Sequence, residues 1–396
     1  MLVFAAGFAV QAEELHTRDE VRAMYAGYVA YYSASPYKSA PSVSAPYDAG
    51  ALTDSALDGA LLYVNFLRRL AYLDDGVSLD PLYTLRAQHA AVLLAANDEL
   101  AHDAACPEDM PRDFYETAHT GTMSSNIACI NWMEDSILLT AVEFFARDDG
   151  EANLRNLGHR RWLFNPRMSA TGFGLANSAS GLTYAVMYAH DDSRAVTGWG
   201  SVAWPSAGAF PAELMSPDLA WSIVIDPEMY DVDASDISVR ISEKDCGEAA
   251  LDYLRVDTSG YGAGPCVIFV PDLDGMGIED YQQNQQWSVR VEGLVDINGR
   301  SAEISYTVDM ISLYPIDPAS VEISALEKEL NTGEGFSLEA TVIPRWADDV
   351  SVSWRSTDES VASVQDGVVL AVGPGRCEIV AEAVNGRSAV CSVTVR

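Results

Sequence analysis

A histidine that directly follows a glycine is the feature of this sequence that best predicts chemistry. Residues 156–166 read Asn-Leu-Gly-His-Arg-Arg-Trp-Leu-Phe-Asn-Pro, and residues 171–174 read Thr-Gly-Phe-Gly. Imidazole titrates near neutral pH and is a common general base and metal ligand. Gly158 lets the backbone approach a partner surface closely, and Asn-Pro ends the segment. By itself, a Gly-His pair of this kind predicts a buried histidine at the start of a strand.

The surroundings of this pair point to a known family. Gly-His, an aromatic strand and a Gly-Phe-Gly strand together resemble the C-terminal signature of the CAP superfamily (cysteine-rich secretory proteins, antigen 5 and pathogenesis-related proteins). The sequence Gly-His-Arg-Arg-Trp at residues 158–162 is similar to that of bacterial members. The resemblance runs from about residue 57 to about residue 189, a little over a third of the chain. It implies an α/β/α sandwich with a central cleft that gathers two histidines and two acidic residues, often around a divalent metal.

Carried over residue by residue, the resemblance implies a set of cleft residues. The two histidines fall on His102 and His159, and one acid falls on Glu143. The other acid normally stands in a Gly-Glu-Asn-Ile motif, which here reads Ser-Ser-Asn-Ile, so Ser125 replaces the carboxylate. Two imidazoles and one carboxylate can bind zinc with an open fourth position, but losing an anionic ligand weakens such a site. The sequence therefore predicts a weakly bound divalent metal such as zinc, or a small ligand in its place.

The remaining histidines are weaker candidates. His119 lies six residues before Ser125 and either compensates for the missing acid or is an exposed loop histidine. His89 lies among small apolar residues in a helix, where packing or capping is expected. His16 and His190 have no neighbours that suggest a site.

Several chemistries find little support. A Ser125–His–Glu143 triad is conceivable, but no Gly-x-Ser-x-Gly elbow surrounds Ser125. The sequence also lacks a phosphate-binding glycine loop, a nucleotide fingerprint and a His-Glu-x-x-His motif. Acidic turns near residues 226–236 and 272–275 lack the ligand alternation and distal glutamate of an EF-hand, so we interpret them as turns of an acidic protein.

Charge limits the partners of this chain. Lys and Arg number 24 and Asp and Glu number 58, which gives a formal net charge of −34. Such acidity excludes general affinity for nucleic acid and for anionic membrane. Four arginines cluster near His159, where they form either a cationic patch or ion pairs with nearby carboxylates; they are Arg155, Arg160, Arg161 and Arg167.

Cysteine usage and the N-terminus predict export. The six cysteines form three local pairs, separated by 23, 20 and 14 residues, and none has Cys-x-x-Cys spacing. One disulfide in each proposed domain is the simplest arrangement: Cys106–Cys129, Cys246–Cys266 and Cys377–Cys391. Residues 1–12 are apolar and end in a small-x-small pattern, like a signal peptide shortened at its start. No stretch is long and apolar enough to predict a membrane span.

Apolar spacing predicts helices in the first half of the chain. We expect helices over residues 17–32, 54–73, 81–97 and 133–145, a linker over 33–45, a loop over 104–126, and two strands over 172–176 and 182–188. Thr17 with Glu20 three residues later predicts a capping box at the start of the first helix, and Asp80-Pro81 predicts an N-cap and a proline at the start of the helix over 81–97. Beyond Trp199 the pattern becomes short alternating strands over residues 221–225, 237–241, 266–270, 287–291 and 304–308.

The last segment resembles a second known module. Trp354 is followed by Arg-Ser, then Val-Ala-Ser-Val at residues 361–364 and Gly-Pro-Gly at residues 373–375, as in bacterial immunoglobulin-like group 2 domains. The predicted fold class is multi-domain α+β, an N-terminal α/β/α sandwich followed by two all-β immunoglobulin-like sandwiches. The predicted segments are a partial signal peptide (1–12), a helix and linker (13–50), the CAP-like domain (51–202), a β-sandwich (203–316) and the immunoglobulin-like module (318–396).

Three functions remain open. The first is an exported bacterial protein that binds a protein, glycan or lipid at or outside the cell surface. The second is a metal-assisted or acid/base hydrolase of peptide, glycan or lipid that uses His102, Glu143 and His159. The third is a structural role with a vestigial cleft. Serine at position 125 favours binding or structure over catalysis.

Overall fold

The computed structural model describes residues 15–29, 36–131, 137–233 and 235–396. The expected signal peptide at residues 1–12 lies outside these ranges. The chain forms two compact units. The first runs to Tyr281 and includes Gln285–Ile311, and the second comprises Gln282–Asn284 and Ser312–Arg396. The predicted boundary between residues 202 and 203 stays a prediction, because both sides of it belong to the first unit.

The described part of the chain contains seven helices. They are α1 (Arg18–Val29), α2 (Asp54–Leu70), α3 (Pro81–Asn97), α4 (Arg112–Met123), α5 (Ile137–Arg147), α6 (Gly158–Leu163) and α7 (Leu273–Met276). Single 3₁₀ turns occur at Asn153–Arg155 and Ala212–Leu214.

Side-chain caps start the first three helices where the sequence predicts. Thr17 Oγ1 accepts from the Glu20 N–H while Glu20 Oε2 accepts from the Thr17 N–H, which is a capping box. Thr53 caps α2, and the Asp80 carboxylate accepts from two N–H groups of α3, whose first residue is Pro81. The predicted helix over 81–97 is confirmed at both ends.

Seven short strands accompany these helices. They are β1 (Tyr37–Ser39), β2 (Ala51–Leu52), β3 (Ser78–Leu79), β4 (Ser125–Ile130), β5 (Ala170–Thr171), β6 (Phe173–Asn177) and β7 (Thr183–Tyr188). An antiparallel sheet of order β4-β7-β6 is the centre of this part. Helix α3 packs against β6 and β7 with α4 beside it, while α5 lies against β4 and β7 and contacts α2. All six residues of β7 are buried, as expected for a strand that is covered on both faces.

Two predictions for this part are wrong. The expected loop over 104–126 contains α4 and the start of β4. Close packing explains the helix, since a Cβ at Gly121 would lie 2.2 Å from the Arg86 carbonyl oxygen of α3. Tertiary contact thus overrides the low helix propensity of the His-Thr-Gly-Thr sequence. His159 lies on α6, a helix, and not at the start of a strand.

The rest of the first unit is a two-sheet sandwich. Its strands are β8 (Ser201–Trp204), β9 (Gly208–Pro211), β10 (Trp221–Ile225), β11 (Ser238–Glu243), β12 (Gly247–Ala249), β13 (Leu251–Asp257), β14 (Cys266–Pro271), β15 (Gln286–Val295) and β16 (Ser301–Ile311). The sheet orders are β13-β14-β10-β8 and β12-β11-β15-β16-β9, antiparallel except for β9 with β16. Trp204, Trp221 and Trp287 are fully buried, and the indole N–H of Trp221 donates to Tyr281 Oη at 2.8 Å.

The second unit is entirely β. Its strands are β17 (Ser320–Ile323), β18 (Glu327–Leu330), β19 (Gly335–Ser337), β20 (Ala340–Ile343), β21 (Val352–Ser356), β22 (Ala362–Gln365), β23 (Val368–Ala371), β24 (Gly375–Ala383) and β25 (Ser388–Val395). They form sheets of order β17-β20, β18-β25-β24-β21 and β19-β23-β22. Trp354 packs against both apolar clusters of this unit, in agreement with the predicted core position.

The mixed α+β class with more than one domain is therefore correct. Among the described residues, no helix is long and apolar enough to cross a membrane.

Candidate functional site

A cleft of about 390 Å³ lies beside α6 in the first unit. Its lining residues come from five regions of the chain. They are His102; Met123, Ser125 and Asn126; Ala152, Asn153, Asn156, Gly158, His159 and Trp162; His190; and Ser259, Gly260 and Tyr261. Two histidines and the serine that the resemblance implied, His102, His159 and Ser125, therefore line one cleft.

His159 is held by a buried carboxylate. Its Nδ1 lies 2.8 Å from Oδ1 of Asp148, whose side chain is fully buried, and Asp148 Oδ2 accepts the backbone N–H of Arg160 at 3.1 Å. A carboxylate can only accept, so Nδ1 of His159 carries a proton, and in the neutral imidazole Nε2 is then a hydrogen-bond acceptor. The Phe145 ring, 5.6 Å away between centroids, packs against the imidazole.

A backbone carbonyl orients His102 through the same ring nitrogen, Nδ1. Its Nδ1 lies 2.8 Å from the carbonyl oxygen of Thr122, and Thr122 Oγ1 donates to the His102 carbonyl at 2.6 Å. Because a carbonyl only accepts, Nδ1 of His102 is the protonated nitrogen and Nε2 is the acceptor. His102 and His159 thus each have one ring nitrogen engaged by the protein.

His190 belongs to this cleft although the sequence offered no reason to include it. It follows β7, and its ring packs against Trp162 with centroids 4.1 Å apart and the ring planes tilted by 36°. Partial withdrawal from water and the neighbouring His102 lower the pKa of His190. The pairing of β7 with β4 brings it here, since the His190 N–H donates to the carbonyl of Ser124. Strand pairing is not readable from the sequence around His190.

Ser125 and Asn126 begin β4 and differ in role. The Ser125 side chain is buried, and its Oγ has no hydrogen-bond partner among the described residues. The Asn126 amide donates to the carbonyl of His159 at 2.9 Å. Asn126 thereby fixes α6 against the sheet, while the Ser125 hydroxyl is buried at the edge of the cleft without a partner among the described residues.

Glu143 is not among the lining residues, which corrects its assignment to the cleft. It accepts a hydrogen bond from Tyr63 Oη at 2.9 Å. The acid that contacts a cleft histidine is Asp148, the residue that follows α5, in a left-handed conformation with φ of 49°. An aspartate at a helix end has no sequence signature that separates this role from ordinary helix termination.

Three other histidines lie outside the cleft lining. His119 Nε2 is 2.8 Å from the exposed Asp103 carboxylate, so it does not replace the missing acid at position 125. His89 bonds the Leu85 carbonyl and packs on Phe114, and His16 stacks on Tyr72. These contacts agree with the structural interpretation of His89.

The arginines near His159 do not form a solvent-facing patch. Arg160 and Arg161 are each 1% exposed. The Arg160 guanidinium donates to the carbonyls of Ala146, Arg147 and Ala220 and to Ser222 Oγ. Arg161 pairs with Asp257 at 2.5 Å, and Arg167 pairs with Glu228 at 3.3 Å. Burial lowers the pKa of Arg160 to about 10.

The predicted metal set does not assemble in the geometry observed. In the described ranges, no group of three or more His, Cys, Asp or Glu side chains is placed to hold a metal ion. Structural and catalytic zinc sites use at least three protein ligands, so His102 and His159 alone do not fit one. The acidic turns have structural partners, because Asp272 caps α7 and Asp226 accepts backbone N–H groups.

All six cysteines, each in a described range, carry free thiols, so the three disulfides stay predictions. Cys377 and Cys391 lie on the neighbouring strands β24 and β25, two residues out of direct register. Cys246 and Cys266 lie in different surroundings. Cys246 is exposed beside β11 and β12, whereas Cys266 is buried on β14 in the other sheet of the sandwich.

Comparisons with known proteins leave the family open. No family model matches the chain. It is 36% identical over 120 residues to 3-O-alpha-D-galactosyl-alpha-L-arabinofuranosidase of Bifidobacterium longum subsp. longum, a match of 25% of this chain and 11% of that enzyme. The chain therefore spans about a tenth of that curated relative's length.

Similar solved structures contain extracellular modules, at low similarity. The N-terminal part of the bacterial S-layer protein SbsC matches 45% of this chain and 41% of its own, with 13% identity and a TM-score of 0.19. The N-terminal four Ig domains of Dscam1 isoform 6.44 match 51% and 47%, with 13% identity and a TM-score of 0.24. TM-scores of 0.19 and 0.24 are too low to assign the fold or the function of this chain from these structures.

Proposed function

We propose that this chain is an exported protein whose helical part is a CAP-like domain, and that its histidine cleft binds a small ligand at or outside the cell surface. Helices on both faces of the β4-β7-β6 sheet support the domain assignment. One observation carries the binding function. Asp148 and the Thr122 carbonyl engage Nδ1 of His159 and His102, and both histidines line the same cleft.

This arrangement suits a ligand that donates hydrogen bonds. Each of the two imidazoles keeps Nε2 as an acceptor, and their orientation is already set before a ligand arrives. Preorganised groups lose little conformational entropy on binding, which favours affinity. Ser125 adds a buried hydroxyl at the same cleft.

The test compares His102→Ala and His159→Ala with His119→Ala. His119 is a histidine outside the cleft lining, bonded to Asp103, and is therefore the matched control. A library of small polar fragments is screened against the purified chain by ligand-observed NMR. We expect hits that are lost in both cleft variants and kept in the control. Hits that survive both cleft substitutions would leave only a structural role for the cleft.

A hydrolase is the second candidate, and a specific contact favours it. A buried aspartate that orients a histidine, with a serine hydroxyl at the same cleft, has the composition of a nucleophile, base and acid set. In this version His159 acts as the general base and Asp148 replaces Glu143 as the orienting acid. The missing Gly-x-Ser-x-Gly elbow at Ser125 weighs against it.

A covalent probe separates the two candidates. A fluorophosphonate reagent should label Ser125 if the serine is activated, and the label should disappear in Ser125→Ala and in His159→Ala. Labelling that maps to Ser125 would favour the hydrolase. An unlabelled chain that still binds fragments through His102 and His159 would favour binding.

Weak zinc binding stays a separate proposal: the imidazoles of His102 and His159 fall short of the three protein ligands of a zinc site, so any affinity for zinc should be low. The test compares the zinc affinities of the native chain, Ser125→Glu and His159→Ala, which are measured by calorimetric titration. A carboxylate at position 125 should tighten binding by supplying the third ligand, and loss of His159 should abolish it. Equal zinc affinity in all three proteins would remove the metal from consideration.

A further inference from the structure

One wall of the histidine cleft comes from the β-sandwich of the same unit. Ser259, Gly260 and Tyr261 lie in the loop of residues 258–265 that joins β13 to β14, and all three line the cleft. We call residues 258–264 the sandwich loop. The helical part that resembles CAP domains therefore supplies only a portion of the lining.

Helix α6 anchors the sandwich loop. Arg161 Nη1 pairs with Asp257 Oδ2 at 2.5 Å, and Nη2 donates to the Gly264 carbonyl at 2.8 Å. Both side chains of the ion pair are buried. Asp257 Oδ2 also accepts from Ser259 Oγ at 2.5 Å, inside the loop. The helix that carries His159 thus fixes both ends of the loop through the neighbouring Arg161.

Glycines allow the loop and α6 to approach closely. A Cβ at Gly158 would lie 2.9 Å from two ring carbons of Tyr261, and a Cβ at Gly262 would lie 2.5 Å from the Arg161 carbonyl oxygen. Gly262 also has φ of +59°, which favours glycine. Because position 158 is glycine, the backbone of α6 can pack directly against the ring of Tyr261. The centroid of this ring is 5.8 Å from the Arg161 guanidinium carbon.

The chemistry of the lining is unusual for so acidic a chain. The described residues that line the cleft include no Asp, Glu, Lys or Arg, although the formal net charge is −34. They offer aromatic faces from Trp162 and Tyr261, together with amide, hydroxyl and imidazole groups. Tyr261 is 38% exposed, so part of its ring is open to a ligand.

We propose that the sandwich loop completes the cleft as a subsite for a neutral saccharide ring, with Tyr261 as a specificity-determining residue. This inference rests on the proposed binding function of the histidine cleft. A pyranose or furanose presents an apolar C–H face that stacks on an aromatic ring, and hydroxyls that donate to imidazole Nε2 atoms and pair with side-chain amides. A lining without Asp, Glu, Lys or Arg offers no permanent counter-charge to an ionised ligand that leaves water.

Arg161 is a positioning residue in this site. Its contacts with Asp257 and Gly264 hold the loop that carries Tyr261 in position. Arg161 is not itself among the lining residues. Substituting the fully buried Arg161 risks unfolding, whereas Tyr261 lies in a loop and is partly exposed. Tyr261 and Gly158 are therefore the positions at which the inference can be tested without disturbing the core.

The experiment measures saccharide binding to the full chain. Neutral mono- and oligosaccharides, and matched uronic acids, are screened by saturation-transfer NMR, and the Kd of each hit is measured by calorimetry. We expect neutral sugars to bind and uronic acids to bind at least tenfold more weakly. Tyr261→Ala should weaken binding about tenfold, the loss of one aromatic stacking contact, while Tyr261→Phe stays within about threefold because the ring face is kept. Tyr314→Ala, at an exposed tyrosine outside the lining, is the control.

Gly158→Ala tests the same contact from the other side. The added methyl must displace the Tyr261 ring, so binding should weaken to about the level of Tyr261→Ala. Gly158→Ala combined with Tyr261→Ala should weaken it no further, because the two changes remove one contact. Additive losses would show that Gly158 does not act through Tyr261 and would overturn the assignment.

The outcomes distinguish this inference from the proposed function. If His102→Ala and His159→Ala abolish sugar binding but Tyr261→Ala leaves Kd unchanged, the histidine cleft binds and the role of the sandwich loop is refuted. If neutral sugars fail to bind while peptides or other polar fragments bind through both histidines, the saccharide class is refuted and the binding function stands. If no compound binds through either histidine, both fail.

Discussion

Nδ1 of His159 lies 2.8 Å from Oδ1 of Asp148, and this carboxylate is completely buried. The contact joins the end of α5 to the start of α6, since Asp148 also accepts the Arg160 N–H. It sets which nitrogen of His159 faces the cleft without itself reaching the ligand. The relationship is therefore both a structural link and the basis of the site.

Replacing Asp148 should cost stability. Asp148→Asn leaves one carbonyl oxygen for two donors, the His159 ring and the Arg160 N–H, so one buried contact is lost. We expect the free energy of unfolding to fall by about 1–3 kcal/mol in urea titration. Asp149→Asn changes the exposed neighbour and should stay within about 0.5 kcal/mol of the native chain. Equal values for the two variants would contradict the structural link.

Arg160 should be a stability residue and not a ligand contact. Its guanidinium satisfies three carbonyls and Ser222 Oγ in a buried setting, and a lysine cannot reach them all in that planar geometry. We expect Arg160→Lys to lower the free energy of unfolding by at least about 2 kcal/mol. Arg155→Lys, on an exposed arginine, is the control. Equal stability of Arg160→Lys and the native chain would contradict the role of these hydrogen bonds.

His190 should make stability depend on pH. Its pKa is lowered by partial withdrawal from water and by His102, while Asp192 acts in the opposite direction. Between the folded and unfolded pKa values the unfolded chain holds more protons, so stability rises with pH there. The contribution of His190 is complete above about pH 6.5, the unfolded value, and is lost as the pH falls from there through the lowered pKa of the folded chain. Urea titrations from pH 5.5 to 7.5 should give a shallower pH dependence for His190→Phe; parallel profiles would contradict the shift.

Thiol accessibility should divide the cysteines into two groups. Cys106, Cys129 and Cys246 are exposed, and Cys266, Cys377 and Cys391 are buried. Burial also raises the pKa of the Cys266 thiol to about 11, which suppresses its thiolate. For reduced, folded protein, maleimide should label the first three rapidly and the others only in denaturant, as read by mass spectrometry.

Oxidised protein gives the complementary readout. Peptide mapping without reduction should not find Cys246 joined to Cys266, because they lie on different sheets, one exposed and one buried. A Cys246–Cys266 peptide would show that the sandwich adopts another strand arrangement.

Local sequence patterns were sufficient for much of the secondary structure. Asp80-Pro81 predicted the start of α3, and the Thr17 and Glu20 pair predicted that of α1, because capping depends on residues three or four apart. Residues 221–225 were predicted as a strand, which is the observed β10. The resemblance also brought His102, Ser125 and His159 to one cleft.

Glu143 and the arginines show where local patterns fail. Glu143 has the residue type and spacing expected of the cleft acid, yet it accepts a hydrogen bond from Tyr63. Asp148 is the acid that bonds His159. For Arg160 and Arg161 the sequence left a cationic surface patch or ion pairs open. Both side chains are buried, and they donate hydrogen bonds to carbonyls of distant segments. A side chain's partners depend on which segments meet, and residue spacing does not encode that.

By itself, the sequence determined the helices with caps, the alternating strands, the acidity and the Gly-His pair, since each depends on neighbours within a few residues. Tertiary structure alone decided that α4 forms where a loop was expected, because Gly121 packs on Arg86. It also decided that His190 and Tyr261 join the cleft, through the pairing of β4 with β7 and the anchoring of the sandwich loop by Arg161. The contact between Arg161 and Gly264 links residues 103 positions apart in the chain, which no local pattern records.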